Sequence, residues 1–166
     1  MTMRIAPDGW YRRRVAVRFR DLDALGHAHH TLPLVYLEEA RAAFWRELTG
    51  SATLDSIDYV MAEITVRFHA RIHYPADVEV ALAVDHVGSK SFTTRFELST
   101  VPGTPEGSRA LLASGHAVQV AYDYGRATAK PIEEKIRATL VAWRDALAQN
   151  SSASEAERTP ISAPST

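Results

Sequence analysis

From Ala62 onward, Ala62, Ile64, Val66, Phe68, Ala70 and Ile72 alternate with Glu63, Thr65, Arg67, His69, Arg71 and His73. A period of two held over such a length predicts a strand with one buried face, running from about Asp58 to His73. Pro75 ends it. Such a strand needs partners beside it and a cover on its apolar face. Further strands are predicted at Val78 to Val87, Ser91 to Val101 and Ala110 to Tyr122, with a short one marked by Val15, Val17 and Phe19. Gly88-Ser89 and the stretch from Pro102 to Gly107 supply turns. Strands joined by short turns pair antiparallel. The cover is a helix beginning near His30, because Leu34, Leu37, Ala40, Phe44 and Leu48 form one apolar stripe. Thr49-Gly50-Ser51 stops it. A second helix opens at Pro131, with Ile132, Ile136, Leu140, Trp143 and Leu147 as its stripe. The predicted class is α+β: an antiparallel sheet of about five strands against a long helix, with a C-terminal helix.

A chain of 166 residues is expected to form one domain, over residues 1–149. Residues 150–166 are rich in Ser, Pro and Thr with little to bury, which predicts a disordered polar tail. The net charge of −1 gives no footing for nucleic acid or a membrane surface. No apolar run is long enough for a membrane span. The first residues, MTMRIAPDGWYRRR, lack the apolar core of a signal peptide. The chain has no cysteine, which excludes disulfides, a thiol nucleophile and thiolate metal sites, and suits the cytoplasm.

Between the first strand and the long helix lies Asp21-Leu22-Asp23-Ala24-Leu25-Gly26-His27-Ala28-His29-His30, with Glu38-Glu39-Ala40-Arg41 downstream. On residues alone this is a turn with two carboxylates and a histidine cluster before a helix N-terminus. That terminus presents unpaired N–H groups and partial positive charge. The stretch resembles the acyl-CoA thioesterases of the hotdog fold, in the 4-hydroxybenzoyl-CoA thioesterase family. Their pattern runs strand, D-x-D-x-x-G-h-h-x-N/H, then a helix with Glu-Ala-Arg. The register from Asp23 to Gly26 and on to Glu39-Ala40-Arg41 agrees without a gap. The chain departs from many relatives at His29-His30, where they have Asn-Asn, and at Pro33, where they have Tyr. Tyr74-Pro75-Ala76-Asp77, Gly88-Ser89-Lys90-Ser91-Phe92 and Lys130-Pro131-Ile132 extend the likeness to about residue 149.

The resemblance implies hydrolysis of an acyl-CoA or acyl-carrier-protein thioester, without a cofactor. Asp23 would attack the thioester directly or act as base on water. The backbone N–H near His30 would hold the oxyanion, and the His30 side chain would assist. Glu39 is the reserve carboxylate. Gly26, His27, His29 and Met61 are expected around the substrate, with Tyr59 and Pro33 shaping the pocket. Lys90 and Ser91 match a turn that touches CoA phosphates in relatives. A homodimer, stacked into a tetramer through the strand face bearing Arg67, His69 and Arg71, would cover the exposed sheet edge.

Plainer roles compete. Asp21 is best read as a turn cap. His27, His29 and His30 lack a further patterned ligand, so no metal site is expected. His69, His73, His86 and His116 read as surface or satisfied histidines. Glu38 and Arg41 read as an i, i+3 helix pair. Within the same fold, a hydratase or dehydratase and a non-catalytic acyl-CoA-binding protein are the alternatives.

Overall fold

The structure is a computed structural model, and it describes residues 6–53, 56–101 and 109–156. Strand β1 spans Trp10–Ala16 and helix α1 spans Leu32–Thr49. Strands β2 Tyr59–Phe68, β3 Asp77–Val87, β4 Ser91–Thr100 and β5 Leu111–Asp123 follow, then the two-residue β6 Thr128–Ala129 and helix α2 Glu134–Ala156. Five long strands lie in the order β1-β3-β4-β5-β2, and β6 pairs with β5. Every pairing is antiparallel. This is the expected α+β arrangement, an antiparallel sheet packed against a long helix with a C-terminal helix beside it.

The inner face of the sheet is built by alternation. Val80 and Leu82 on β3 pair with Leu98 and Phe96 on β4, Val87 pairs with Phe92, and Val78 and Val84 stand opposite Thr100 and Thr94; all are buried. On α1, Tyr36, Leu37, Ala40, Phe44 and Trp45 face them. At one end of the sheet Trp45 stacks on Phe92, with centroids 5.5 Å apart, and meets Tyr59 edge-on. At the other end lies the α1 N-terminus. Helix α2 adds Trp143, whose ring meets Phe44 of α1 at 5.7 Å. Glycine is required at position 115: a Cβ there would lie 1.8 Å from the Thr65 carbonyl oxygen on β2.

Several boundaries differ from expectation, each for a local reason. Phe19 is not in β1 but in a 3-10 turn, Phe19–Asp21, and is 75% exposed. There the Asp21 side chain accepts the Arg18 N–H at 2.9 Å, and such local bonds compete with a strand ladder. Helix α1 begins at Leu32, two positions after His30, with no side-chain cap at Thr31. It ends as expected, at Gly50 with φ 70. Strand β2 stops at Phe68, not His73. His69 and Ala70 both donate to the Leu112 carbonyl, and the Ile72 carbonyl accepts from Ala28 instead of a strand. Helix α2 opens at Glu134 rather than Pro131, since the Lys130 and Ile132 N–H groups still bond to Ala121 and Ser89. It continues past 149 to Ala156, so its last turns use residues assigned by composition to the tail; residues 157–166 lie outside the described residues. The loop predicted at Pro102 to Gly107 also lies outside them. Among the described residues no helix is long and apolar enough to cross a membrane.

Candidate active site

The loop from Asp21 to Thr31 is folded on itself. The Asp23 N–H donates to the His27 carbonyl at 3.0 Å, and Gly26 N–H donates back to the Asp23 carbonyl at 3.1 Å. Gly26 has φ +79, the left-handed region where glycine carries no Cβ penalty. Leu22 bridges Ala28, and Ala28 N–H bonds to Ile72 carbonyl at 2.9 Å. Those bonds tie the loop to the segment after β2. Asp23 is therefore brought to the α1 N-terminus through space, by a closed loop, rather than by adjacency in the chain.

Asp21 and Asp23 play separate parts. Asp21 is buried and accepts both the Arg18 N–H and the Tyr36 hydroxyl, the latter at 2.8 Å. Burial, then the Asp21 bond, raises the Tyr36 pKa, so the phenol stays a donor. Asp23 is half-exposed by comparison. Its Oδ1 accepts the Leu25 N–H at 2.8 Å and lies 4.0 Å from His27 Nδ1. Its Oδ2 has no partner among the described residues.

Asp23 opens on a cavity of about 270 Å³. His27, His30 and Pro33 line one side, and Phe68, Ala70, Arg71, Ile72 and Leu112 the other. The cavity is thus mostly apolar with one carboxylate, two imidazoles and a guanidinium. The His30 N–H, at the mouth of α1, finds no acceptor among the described residues. Its neighbours are already engaged: Leu32 N–H bonds to His29 carbonyl at 2.8 Å and Leu34 N–H to Thr31 carbonyl at 3.1 Å. Pro33 has no N–H to offer. His29 Nδ1 shares a hydrogen with Thr31 Oγ1 at 2.9 Å, and its ring tilts against that of His30 with centroids 4.0 Å apart. Asp23, with an unengaged carboxylate oxygen, and His30, with an unengaged N–H, both line this cavity, and acyl transfer requires groups of these two kinds.

Of the expected site residues, Asp23, His27 and His30 line this cavity, and Gly26 and His29 shape the loop beside it. Glu39 does not line it; its carboxylate pairs with Arg18 at 3.1 Å. Tyr59 is packed under Trp45 and Phe92. Met61 pairs with Gln119 near the opposite end of β2 from Phe68, which pairs with Ala113. At about 3.3 Å per residue, that is roughly 23 Å along one strand. Lys90 and Ser91 also lie at that far end, where the Ser89 carbonyl accepts from Ile132 and the Lys90 carbonyl from Ala121. Arg71 faces the Asp23 cavity, whereas Arg67 and His69 line a groove on the outer sheet face with Arg95 and His116. Phe68, Ala70, Arg71 and Ile72 were not expected at the site. The alternation that placed Phe68, Ala70 and Ile72 on one face is the signal for them. Among the described residues no group of three His, Asp or Glu side chains gathers closely enough to hold a metal ion.

The model of the Thioesterase-like superfamily matches residues 17–140. The uncharacterised Bacillus subtilis (strain 168) protein YsmA is 25% identical over 122 residues, which are 74% of this chain and 80% of that protein. Among solved structures, a thioesterase complexed with coenzyme A and Zn from Thermus thermophilus is 28% identical, with TM-score 0.67, over 81% of this chain and 93% of its own. A thioesterase-superfamily protein of Jannaschia sp. CCS1 is 24% identical, with TM-score 0.68, over 81% of this chain and 82% of its own. Gentisyl-coenzyme A thioesterase BH1999 is 23% identical, with TM-score 0.66, over 78% and 99%. At these last two identities the likeness is one of fold, and that fold is the hotdog.

Proposed function

The chain belongs to the Thioesterase-like superfamily, and as a thioester hydrolase of that family we propose that it cleaves an acyl-CoA or acyl-carrier-protein thioester with Asp23 as its reacting carboxylate. The observation that carries the reading is that Asp23 and His30, whose Oδ2 and N–H have no partner among the described residues, line one apolar cavity. The acyl carbonyl enters with its oxygen towards the His30 N–H. Asp23 Oδ2 then attacks the carbonyl carbon, or takes a proton from a water that attacks it. Negative charge builds on the carbonyl oxygen and is held by the N–H at the helix end, where the dipole favours it. The tetrahedral adduct collapses, the C–S bond breaks and the thiolate leaves. On the first route water then hydrolyses the mixed anhydride; on the second the acid forms directly. The His30 side chain lines the same cavity and is placed to steer that water.

Met61, Lys90 and Ser91 lie too far along the sheet to reach the same chain's Asp23. Antiparallel pairing of two β2 edges about a two-fold axis sets the Phe68 end of one copy beside the Tyr59 end of the other. In such a homodimer those residues serve the site across the junction, with Lys90 free to meet CoA phosphates.

The test is release of free thiol from a panel of acyl-CoA thioesters, aromatic, short and long aliphatic. Turnover of at least one member, with stoichiometric free acid, is expected. Hydration or dehydration of the acyl chain without thiol release would establish the dehydratase alternative instead. Tight binding without turnover would establish the non-catalytic one.

A further inference from the structure

The two groups assigned to the reaction sit on different pieces of chain. Asp23 is on the folded loop, and the His30 N–H is at the mouth of α1. Their relative placement depends on how the loop is held against the helix. The helix end does not hold it through a cap, since Thr31 makes no side-chain cap bond. The bonds from Leu32 N–H to the His29 carbonyl and from Leu34 N–H to the Thr31 carbonyl are local. They close the turn and do not reach from the loop to the body of the helix.

Asp21 makes that connection. Its carbonyl accepts the His29 N–H at 3.0 Å, so it closes the loop that carries Asp23 at the residue before His30. Its N–H donates to the Arg18 carbonyl at 2.9 Å. Its carboxylate accepts the Arg18 N–H at 2.9 Å and the Tyr36 hydroxyl at 2.8 Å. Tyr36 lies on α1 three residues beyond Pro33, which lines the Asp23 cavity. Both Asp21 and Tyr36 are buried, where a hydrogen bond to a charged group is strong and its loss is not made good by water. Arg18 and Glu39 join the same two segments at 3.1 Å, but that pair is largely exposed and exposed ion pairs hold little. Neither Asp21 nor Tyr36 lines the cavity, so neither meets the acyl group there.

We propose that Asp21 and Tyr36 are positioning residues: their bond sets the Asp23 carboxylate against the His30 N–H. This rests on the thioesterase reading above. The rate of a reaction between oriented groups is steep in distance, and a misplacement of about 1 Å can cost about a hundredfold. Loss of the bond therefore acts on the rate before it acts on binding, because Phe68, Ala70, Ile72 and Leu112 on the facing wall belong to other segments.

The experiment measures kcat, KM and melting temperature for the full chain on the best acyl-CoA of the panel. Tyr36→Phe removes the hydroxyl and keeps the ring. Asp21→Asn combined with Tyr36→Phe leaves no buried carboxylate without its partner, which protects folding. Tyr11→Phe is the control. It removes a bond of the same kind, from β1 to Glu47 near the far end of α1 at 2.8 Å. Tyr36→Phe should lower kcat by about tenfold to a hundredfold and change KM by less than about twofold. The double variant should show the same loss of kcat with a melting temperature closer to wild type. Tyr11→Phe should keep the wild-type kcat at temperatures where it is folded. A wild-type kcat in the double variant overturns the proposal, as does a loss confined to KM. So does a loss of kcat that Tyr11→Phe shares, which would mean that any loosening of α1 has this effect. Each of these leaves thioester hydrolysis intact. Hydrolysis of no thioester by the wild type removes the thioesterase reading and this proposal together.

Discussion

Two aspartates separated by one leucine show how far single residues can be read. The D-x-D-x-x-G register and the helix behind it marked both, and capping was expected of Asp21. The Asp21 carboxylate indeed takes the Arg18 N–H and the Tyr36 hydroxyl. The Tyr36 partnership was not legible, because an i to i+15 contact depends on how the turn meets α1. Gly26 was legible as a turn glycine, since φ +79 suits little else. Phe19 was misread because it extends the alternation of Val15 and Val17, and period two carries no sign of the side-chain bond that breaks a strand. The cavity wall from Phe68 to Ile72 was legible as a buried face and illegible as a binding face. Alternation tells which side of a sheet a residue takes, not what lies above it. Glu39 was read as the reserve to Asp23 on the motif register, and its Arg18 ion pair was not legible, because it comes from a residue far back in the chain.

At the scale of elements, the strands and both helices were legible and their ends were not. Stops written in one residue, such as Gly50, were clear. Ends set by tertiary pairing were hidden, as where the Ile72 carbonyl turns to Ala28. The contact between β1 and α1 gives a pH prediction. Tyr11 on β1 donates to Glu47 Oε1 on α1 at 2.8 Å. Burial, then that bond, raises the Tyr11 pKa from 10.0 to about 12. A raised folded pKa means that the folded chain holds the phenolic proton more tightly than the unfolded chain. The stabilisation is therefore complete below pH 10.0 and is lost as pH rises through about 12. Melting temperature measured against pH should fall across that window, and more shallowly for Tyr11→Phe than for wild type. Parallel curves would mean that the bond adds nothing to the packing of β1 on α1.

Among the described residues the sheet has two edges, β1 and β2. Strand β2 is the longer and more exposed of the pair, with Phe68 54% exposed at its cavity end. An unpaired edge of that length invites a second strand. Antiparallel pairing of two β2 edges would satisfy the backbone, cover Phe68 and bring Met61, Lys90 and Ser91 to the second copy's site. The outer groove of about 380 Å³, with Arg67, His69, Arg95 and His116, offers a polar face for further stacking, and Arg71 takes no part in it. Light scattering at micromolar concentration should give a mass of twice 18.3 kDa or a higher even multiple. A mass of 18.3 kDa would remove the second copy from the site, and with it any part for Met61, Lys90 and Ser91.

The central claim is that the Asp23 carboxylate carries out the reaction. Asp23→Asn keeps the size of the side chain and its bond from the Leu25 N–H, but removes both nucleophile and base. On the best acyl-CoA of the panel, kcat should fall by several orders of magnitude, since general base catalysis alone contributes ~10²–10⁴. KM should change little, because the apolar wall that holds the acyl group remains. His30→Ala should cost less, because the backbone N–H at position 30 survives the change. If Asp23→Asn keeps most of the wild-type kcat while Glu39→Gln abolishes it, the reacting carboxylate is on α1 and the account of this cavity is wrong.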